Sequence, residues 1–194
     1  EDVMNEIGEC VAKYGAEIIN FEDDNLLPTK KRAHEFLNLL ICEREKNRLY
    51  PELTAMNGIS LEKVDDEIIR LMKQAGFREL NISLVTHSEN IQRNEKRPFN
   101  SEKFRIIAES ARREGMNVRG YFILGLPGQN SEEINDTIAF LKSIDVKVFP
   151  SVYYNIYSPE PEWKMQRSSA FFNHNEFLSR DDLFRNFNRC FSSN

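Results

Sequence analysis

Three times in this chain a helix-patterned stretch closes on glycine and a short apolar segment begins at once: Tyr14-Gly15-Ala16, Ala75-Gly76-Phe77 and Glu114-Gly115-Met116. Glycine is the residue that accepts the left-handed turn ending a helix. A strand directly beyond it makes each phrase a helix-to-strand joint. Around these joints the hydrophobic period switches repeatedly between about 3.6 and the short apolar runs of strands. Val3, Ile7, Cys10, Val11 and Tyr14 form the first helical stripe, and Ala16 to Phe21 the first strand. Ala33, Phe36, Leu37, Leu40 and Ile41 mark a second helix, whose charged tail from Glu43 to Arg48 reads as a solvated end entering a loop. Leu53 to Asn57 is a brief strand closed by Gly58.

The pattern continues with Val64, Ile68, Leu71 and Met72 on a third helix and Glu79 to Val85 on a strand. Phe104, Ile107, Ala108 and Ala111 define a helix that follows Asn100, and Val118 to Leu124 a strand. Asn130 is an N-cap with Glu133 three residues later, the spacing of a capping box, ahead of the stripe Ile134, Ile138 and Leu141. Val146 to Tyr154 is the last strand. Helices between consecutive strands are crossovers, and crossovers make parallel sheets. Five such units without a dinucleotide fingerprint predict an α/β fold of the partial TIM-type parallel barrel kind. Residues 1–160 form that barrel, and 161–194, polar and aromatic, form an extension with one helix around Asp181 to Phe191.

Composition limits the function classes. At 194 residues and 40% hydrophobic content the chain can bury one full core, and the net charge of −5 argues against a nucleic-acid surface. No apolar run approaches the roughly 20 residues of a membrane span. Cys10, Cys42 and Cys190 are too dispersed for a local metal cluster and too few for a disulfide framework, which points to a reducing, cytoplasmic setting. The chain starts on Glu1 inside a helical pattern, as expected of a piece of a larger protein.

In parallel α/β folds ligands sit at the carboxyl ends of the strands. That rule selects Glu22-Asp23-Asp24-Asn25, Asn57-Gly58, Thr86-His87-Ser88, Gly125-Leu126-Pro127-Gly128 and Asn155-Ile156-Tyr157. The acids could bind a divalent cation or an ammonium group, or merely cap the next helix. In the glycine loop two glycines bracket a proline, so the backbone approaches a ligand closely while the turn stays stiff. His87 could act as an acid or base, although a lone histidine at a loop mouth is more often simply hydrogen-bonded. His34 and His174 have no partners at ligand spacing, and Lys30-Lys31-Arg32 reads as the wet start of a helix.

Taken in order, three segments resemble the radical S-adenosylmethionine (SAM) superfamily, especially its branch often joined to cobalamin-binding domains. They are Ile18 to Asn25, Asp66 to Phe77, and Gly120 to Gly128 followed by Glu132-Glu133-Ile134 and Thr137-Ile138. The resemblance covers roughly residues 1–157 and implies a partial (β/α)6 barrel. It also implies an enzyme whose [4Fe-4S] cluster delivers one electron to SAM, splitting it into methionine and a 5′-deoxyadenosyl radical. By position, Glu22, Asp23 and Asp24 would lie near the methionine amino group, and Thr86 and Ser88 near the ribose and carboxylate. Gly125, Leu126, Pro127 and Gly128 would flank the adenine, and Asn155 and Tyr157 would border the last strand. The family's CxxxCxxC loop is absent here, so the first strand and the cluster cysteines are expected upstream of Glu1. No cofactor is then expected on this piece alone. A reductant such as flavodoxin or ferredoxin is the implied partner, and cobalamin would need another domain. The strand at Ile18 to Phe21 would lose its outer neighbour, which predicts self-association through that edge. The family's Glu-Ser pair at the end of its fourth strand is replaced by Val85-Thr86-His87-Ser88. Two other readings stay open: a cluster-free barrel using Asp23 and Asp24 with a metal, and a non-catalytic scaffold barrel.

Overall fold

The glycine joints behave as their chemistry requires. Gly15, Gly76 and Gly115 all sit at positive φ (63°, 105° and 70°). At Gly76 the backbone N–H closes on the carbonyls of Lys73 and Met72, and Phe77 then enters extended backbone. The computed structural model describes residues 2–46, 51–57, 59–96, 99–154 and 174–191. Its elements are α1 (Asp2–Tyr14), β1 (Ile18–Asn20), α2 (Lys30–Lys46), β2 (Glu52–Thr54), α3 (Asp66–Ala75), β3 (Glu79–Val85), α4 (Glu89–Asn94), α5 (Ser101–Arg113), β4 (Asn117–Leu124), α6 (Ser131–Ser143), β5 (Lys147–Val152) and α7 (Arg180–Phe191). A single 3-10 turn, Leu61–Lys63, precedes α3.

The fold is α/β with parallel sheets. β1 and β2 pair in parallel with Ile18 opposite Glu52, Ile19 opposite Leu53 and Asn20 opposite Thr54. A lone parallel bridge from Leu53 to Phe77 leads towards the second sheet, ordered β3-β4-β5. The chain divides into two compact units, Glu1–Ser83 with Glu102–Arg119, and Leu84–Ser101 with Gly120–Asn194. The boundary expected at residue 160 lies outside the described residues.

In the first unit α2 and α3 pack together, burying Ala33, Leu37 and Leu40 of one and Ile68, Ile69, Met72 and Ala75 of the other. Phe21 stacks on Phe77 at 5.9 Å and meets the edge of Phe36 at 5.6 Å. α3 starts where Asp65 accepts the amide of Ile68 (3.1 Å), an N-cap reinforced by the Lys30 ammonium at 2.6 Å. In the second unit α6 packs on β5, and α7 packs on both. Helix and strand pack closely at Gly120: a methyl there would lie 2.6 Å from Leu141 Cδ2 and 2.9 Å from Val146 Cγ1. The capping box forms as the spacing requires, with Asn130 accepting from Glu133 N and Glu133 accepting from Asn130 N, both at 3.0 Å.

Several boundaries differ from expectation. The charged tail of the second helix is part of it: α2 runs to Lys46, with Lys46 and Glu43 paired one turn apart at 2.7 Å, and Asn47 and Arg48 lie outside the described residues. The strand expected over Leu53–Asn57 stops at Thr54, because Met56 turns away to bond Asn20 at the end of β1 and Asn57 to bond Glu22 in the loop beyond it. β1 itself is shorter than Ala16–Phe21, and β5 is shorter than Val146–Tyr154. In α1 only Ile7 is buried, while Val3 and Tyr14 of the anticipated stripe are exposed. Between β3 and α5 stands a short helix, α4, that periodicity did not reveal.

Candidate functional site

In the first unit the strand ends gather polar groups around Asn20. Its Oδ1 accepts the Met56 amide at 3.0 Å and the Thr54 hydroxyl at 3.2 Å, while its Nδ2 donates to Glu22 Oε1. Asn57 Nδ2 donates to the Glu22 carbonyl at 2.7 Å. The loop after β1 is thus tied to the loop after β2, and Glu22 is spent partly in that tie. Asp23 and Asp24 are exposed, and no described residue bonds their side chains. Gly58 lies outside the described residues.

Beneath this rim sits a buried polar row that the rim rule missed. Glu79 and Asn81, two apart on β3 and so on one face, are 3% and 1% exposed. Glu79 Oε2 lies 2.8 Å from Arg119 Nη2 of β4, an ion pair. Asn81 Nδ2 donates to Ala55 O and to Glu79 Oε1, both at 3.2 Å. Those two acceptors fix the amide's orientation and leave Asn81 Oδ1 buried without a hydrogen bond. A strand pattern gives the alternation of faces but cannot say that the second face is also enclosed.

The second unit holds Thr86, His87, Ser88 and the glycine loop. β3 ends in a three-residue γ-turn: Thr86 N donates to Leu84 O at 2.7 Å across Val85, whose φ is +65°. A β-branched residue in this region is a true outlier, costing on the order of 1–3 kcal/mol. Burial of Val85 against Ile91 and Leu126 offsets that strain. The turn redirects the chain so that Thr86 is enclosed, its carbonyl taking Gln92 Nε2 at 2.9 Å. His87 stacks flat on Phe140, with ring centroids 4.4 Å apart, and its amide bonds Thr137 Oγ1 at 3.0 Å. Ser88 Oγ donates to Glu133 Oε1 at 2.7 Å.

Leu126-Pro127-Gly128-Gln129 is a tight turn with proline second and Gly128 third at φ +75°, closed by Gln129 N donating to Leu126 O at 3.0 Å. Those are the features of a type II turn. Gly125 is also left-handed, at +85°. Gln129, fully buried, accepts from Gly125 N at 2.7 Å and donates to Ile123 O at 3.1 Å, bracing the strand exit against the turn. Pro127 and Gly128 are exposed, and a methyl on Gly128 would meet nothing within 4 Å. Asn155 and Tyr157 lie outside the described residues.

With this geometry in hand the comparisons are decisive for the family. The model of the radical SAM superfamily matches residues 1–141. The chain belongs to the radical SAM superfamily. Among curated relatives, cytidylyl-2-hydroxyethylphosphonate methyltransferase of Streptomyces wedmorensis is 26% identical over 163 residues, 82% of this chain but 29% of that protein. Among solved structures, the radical SAM methyltransferase TsrM of Kitasatospora setae, with cobalamin and a [4Fe-4S] cluster bound, aligns with TM-score 0.67 at 17% identity, over 77% of this chain and 30% of that one. Coproporphyrinogen III oxidase (HemN) of Escherichia coli aligns with TM-score 0.65 at 15% identity, over 98% and 44%. These structures share the fold. The chain thus spans about a third of the first relatives it matches.

The family implies SAM and a [4Fe-4S] cluster. Within the first unit, the exposed carboxylates of Asp23 and Asp24 have the chemistry that the ammonium group of SAM calls for; within the second, taken by itself, the glycine turn leaves Pro127 and Gly128 exposed. For the cluster the donor set does not fit. Cys10 is half-buried on α1, Cys42 exposed on α2 and Cys190 buried on α7. Among the described residues no three His, Cys, Asp or Glu side chains could hold a metal ion. That also leaves the cluster-free, metal-assisted reading without a ligand set there. No helix among the described residues is long and apolar enough to cross a membrane.

Proposed function

We propose that this chain carries much of the SAM-binding surface of a radical SAM enzyme whose [4Fe-4S] cluster is held by cysteines outside these 194 residues. One observation carries the reading: the family match runs over residues 1–141, a span that includes the acidic loop, the Thr86–Ser88 turn and the glycine loop. With the cluster bound, the chemistry supplied is reductive cleavage of SAM to methionine and a 5′-deoxyadenosyl radical. This chain's own contribution is positioning. Asp23 and Asp24 hold the methionine ammonium by charge-assisted hydrogen bonds. Ser88 faces the ribose and carboxylate, with the enclosed Thr86 supporting it from behind through the Ser88 amide, and the backbone of Gly125 to Gly128 lies along the adenine. A flavodoxin or ferredoxin serves as reductant.

Methyl transfer is the favoured outcome, because the S. wedmorensis relative and the TsrM structure both bear methyltransferase names. Cobalamin, bound in TsrM, would then come from a further domain. The test is anaerobic purification of the intact gene product, reduction, and product analysis. A brown protein that consumes SAM only when reduced is expected, and a colourless protein inert towards SAM refutes the reading. Taken alone, the 194-residue chain self-associates through the outer edge of β1; a strictly monomeric size in solution refutes that.

A further inference from the structure

We infer that Asn175, far along the chain from every family segment, is a positioning residue for the glycine turn, so that the C-terminal segment takes part in binding SAM. The inference rests on reading Gly125 to Gly128 as a SAM-binding loop. Asn175 Nδ2 donates one hydrogen to Leu126 O at 2.8 Å and the other to Gln129 O at 2.9 Å. Those carbonyls belong to the first and last residues of the type II turn. One amide therefore spans the turn from end to end and fixes the separation of its two shoulders, leaving its tip, Pro127-Gly128, exposed.

The same side chain is itself held rigid. Asn175 Oδ1 accepts the amides of Phe177 (2.9 Å) and Leu178 (2.8 Å), and Asn175 N bonds Leu178 O at 3.2 Å. All four hydrogen-bonding positions of the amide are thereby used. Leu178 and Leu183 anchor the segment at 0% exposure, and Arg189 reaches Asn135 on α6 at 2.8 Å. A glycine loop held only by its own backbone would sample several shapes. This one is braced by Gln129 on the strand side and by Asn175 on the other, so little ordering cost is left for a ligand.

Asn175→Asp separates the two halves of this device. A carboxylate still accepts from Phe177 and Leu178 but cannot donate, and it sets negative charge against two carbonyl oxygens. In the intact gene product, we expect SAM affinity to fall by about tenfold or more, the equivalent of one to two lost hydrogen bonds. Amide exchange across Leu124–Asn130 should quicken even without SAM, and KM for SAM should rise more than kcat falls. Asn175→Ala serves if the aspartate variant does not fold. Faster exchange with unchanged SAM affinity overturns the inference alone, since the brace would exist without serving SAM. Unchanged exchange and affinity overturn the brace itself. A wild-type protein that binds no SAM, with the exchange contrast intact, overturns the reading of the loop and the inference with it.

Discussion

The Ser88 hydroxyl and the Glu133 carboxylate, 45 residues apart, meet at 2.7 Å. The contact joins the turn after β3 to the first turn of α6. Glu133 divides its two oxygens, giving Oε1 to Ser88 and Oε2 to the Asn130 amide at 3.0 Å. The capping box signalled by spacing alone is therefore also a tether for a proposed SAM-facing loop. Glu133→Ala should lose both bonds, costing roughly 1–3 kcal/mol. Glu133→Gln keeps a capping acceptor and should cost less than half of that. Chemical denaturation of the two variants checks the ranking; equal losses would mean that the carboxylate does not serve two partners.

Glu79 and Arg119 make a different kind of pair, because Glu79 is nearly fully enclosed while Arg119 is about a quarter exposed. Removing the arginine strands a buried carboxylate, so Arg119→Leu should destabilise by about 3–5 kcal/mol. Replacing both residues with apolar ones of similar size should recover most of that. A double-mutant cycle by urea unfolding checks it; additive losses would contradict a coupled pair.

Asp65 titrates with a definite sign. Hydrogen bonding from Lys30, followed by the Ile68 amide, lowers its pKa below the ordinary value of 3.8. A lowered folded value means a contribution present above pH 3.8 and lost as the pH falls through the folded pKa. The pair is largely solvated, with side chains 59% and 39% exposed, so solvent screening keeps its contribution small. Asp65→Asn, which still caps α3, should lose this increment at pH 7 and converge with wild type below about pH 4. Parallel stability curves down to pH 2 would contradict it.

The cysteines differ in the same measurable way. Cys42 is exposed, whereas Cys190 is buried with its thiol pushed up to about 11 by that burial. At pH 8 an alkylating reagent should modify Cys42 first and spare Cys190 until denaturant is added. Between pH 9 and about 11 the unfolded chain loses a proton that Cys190 keeps in the fold, so stability should fall across that window. Mass spectrometry of the labelled peptides reads the order; prompt Cys190 labelling of the folded protein would contradict it.

What the sequence made legible follows from where the physics is local. β3, the cap of α6 and the glycine joints depend on near neighbours, and each stands where the pattern put it. α4 escaped because a six-residue helix with a single buried aliphatic, Ile91, carries no readable period. Glu79, Asn81 and Arg119 escaped because enclosure of a strand's second face is decided by other strands. The Val85 turn is a strained exception that propensity argues against. Asn175 escaped for the plainest reason: its partners lie 46 and 49 residues away in a polar stretch without pattern.

The most direct test of the account is hydrogen exchange on the intact, cluster-loaded gene product with and without SAM. Slowed exchange is expected in the same titration at two segments, Glu22–Asn25 and Gly125–Gln129, with one affinity. Protection at neither segment while SAM is demonstrably bound would contradict it.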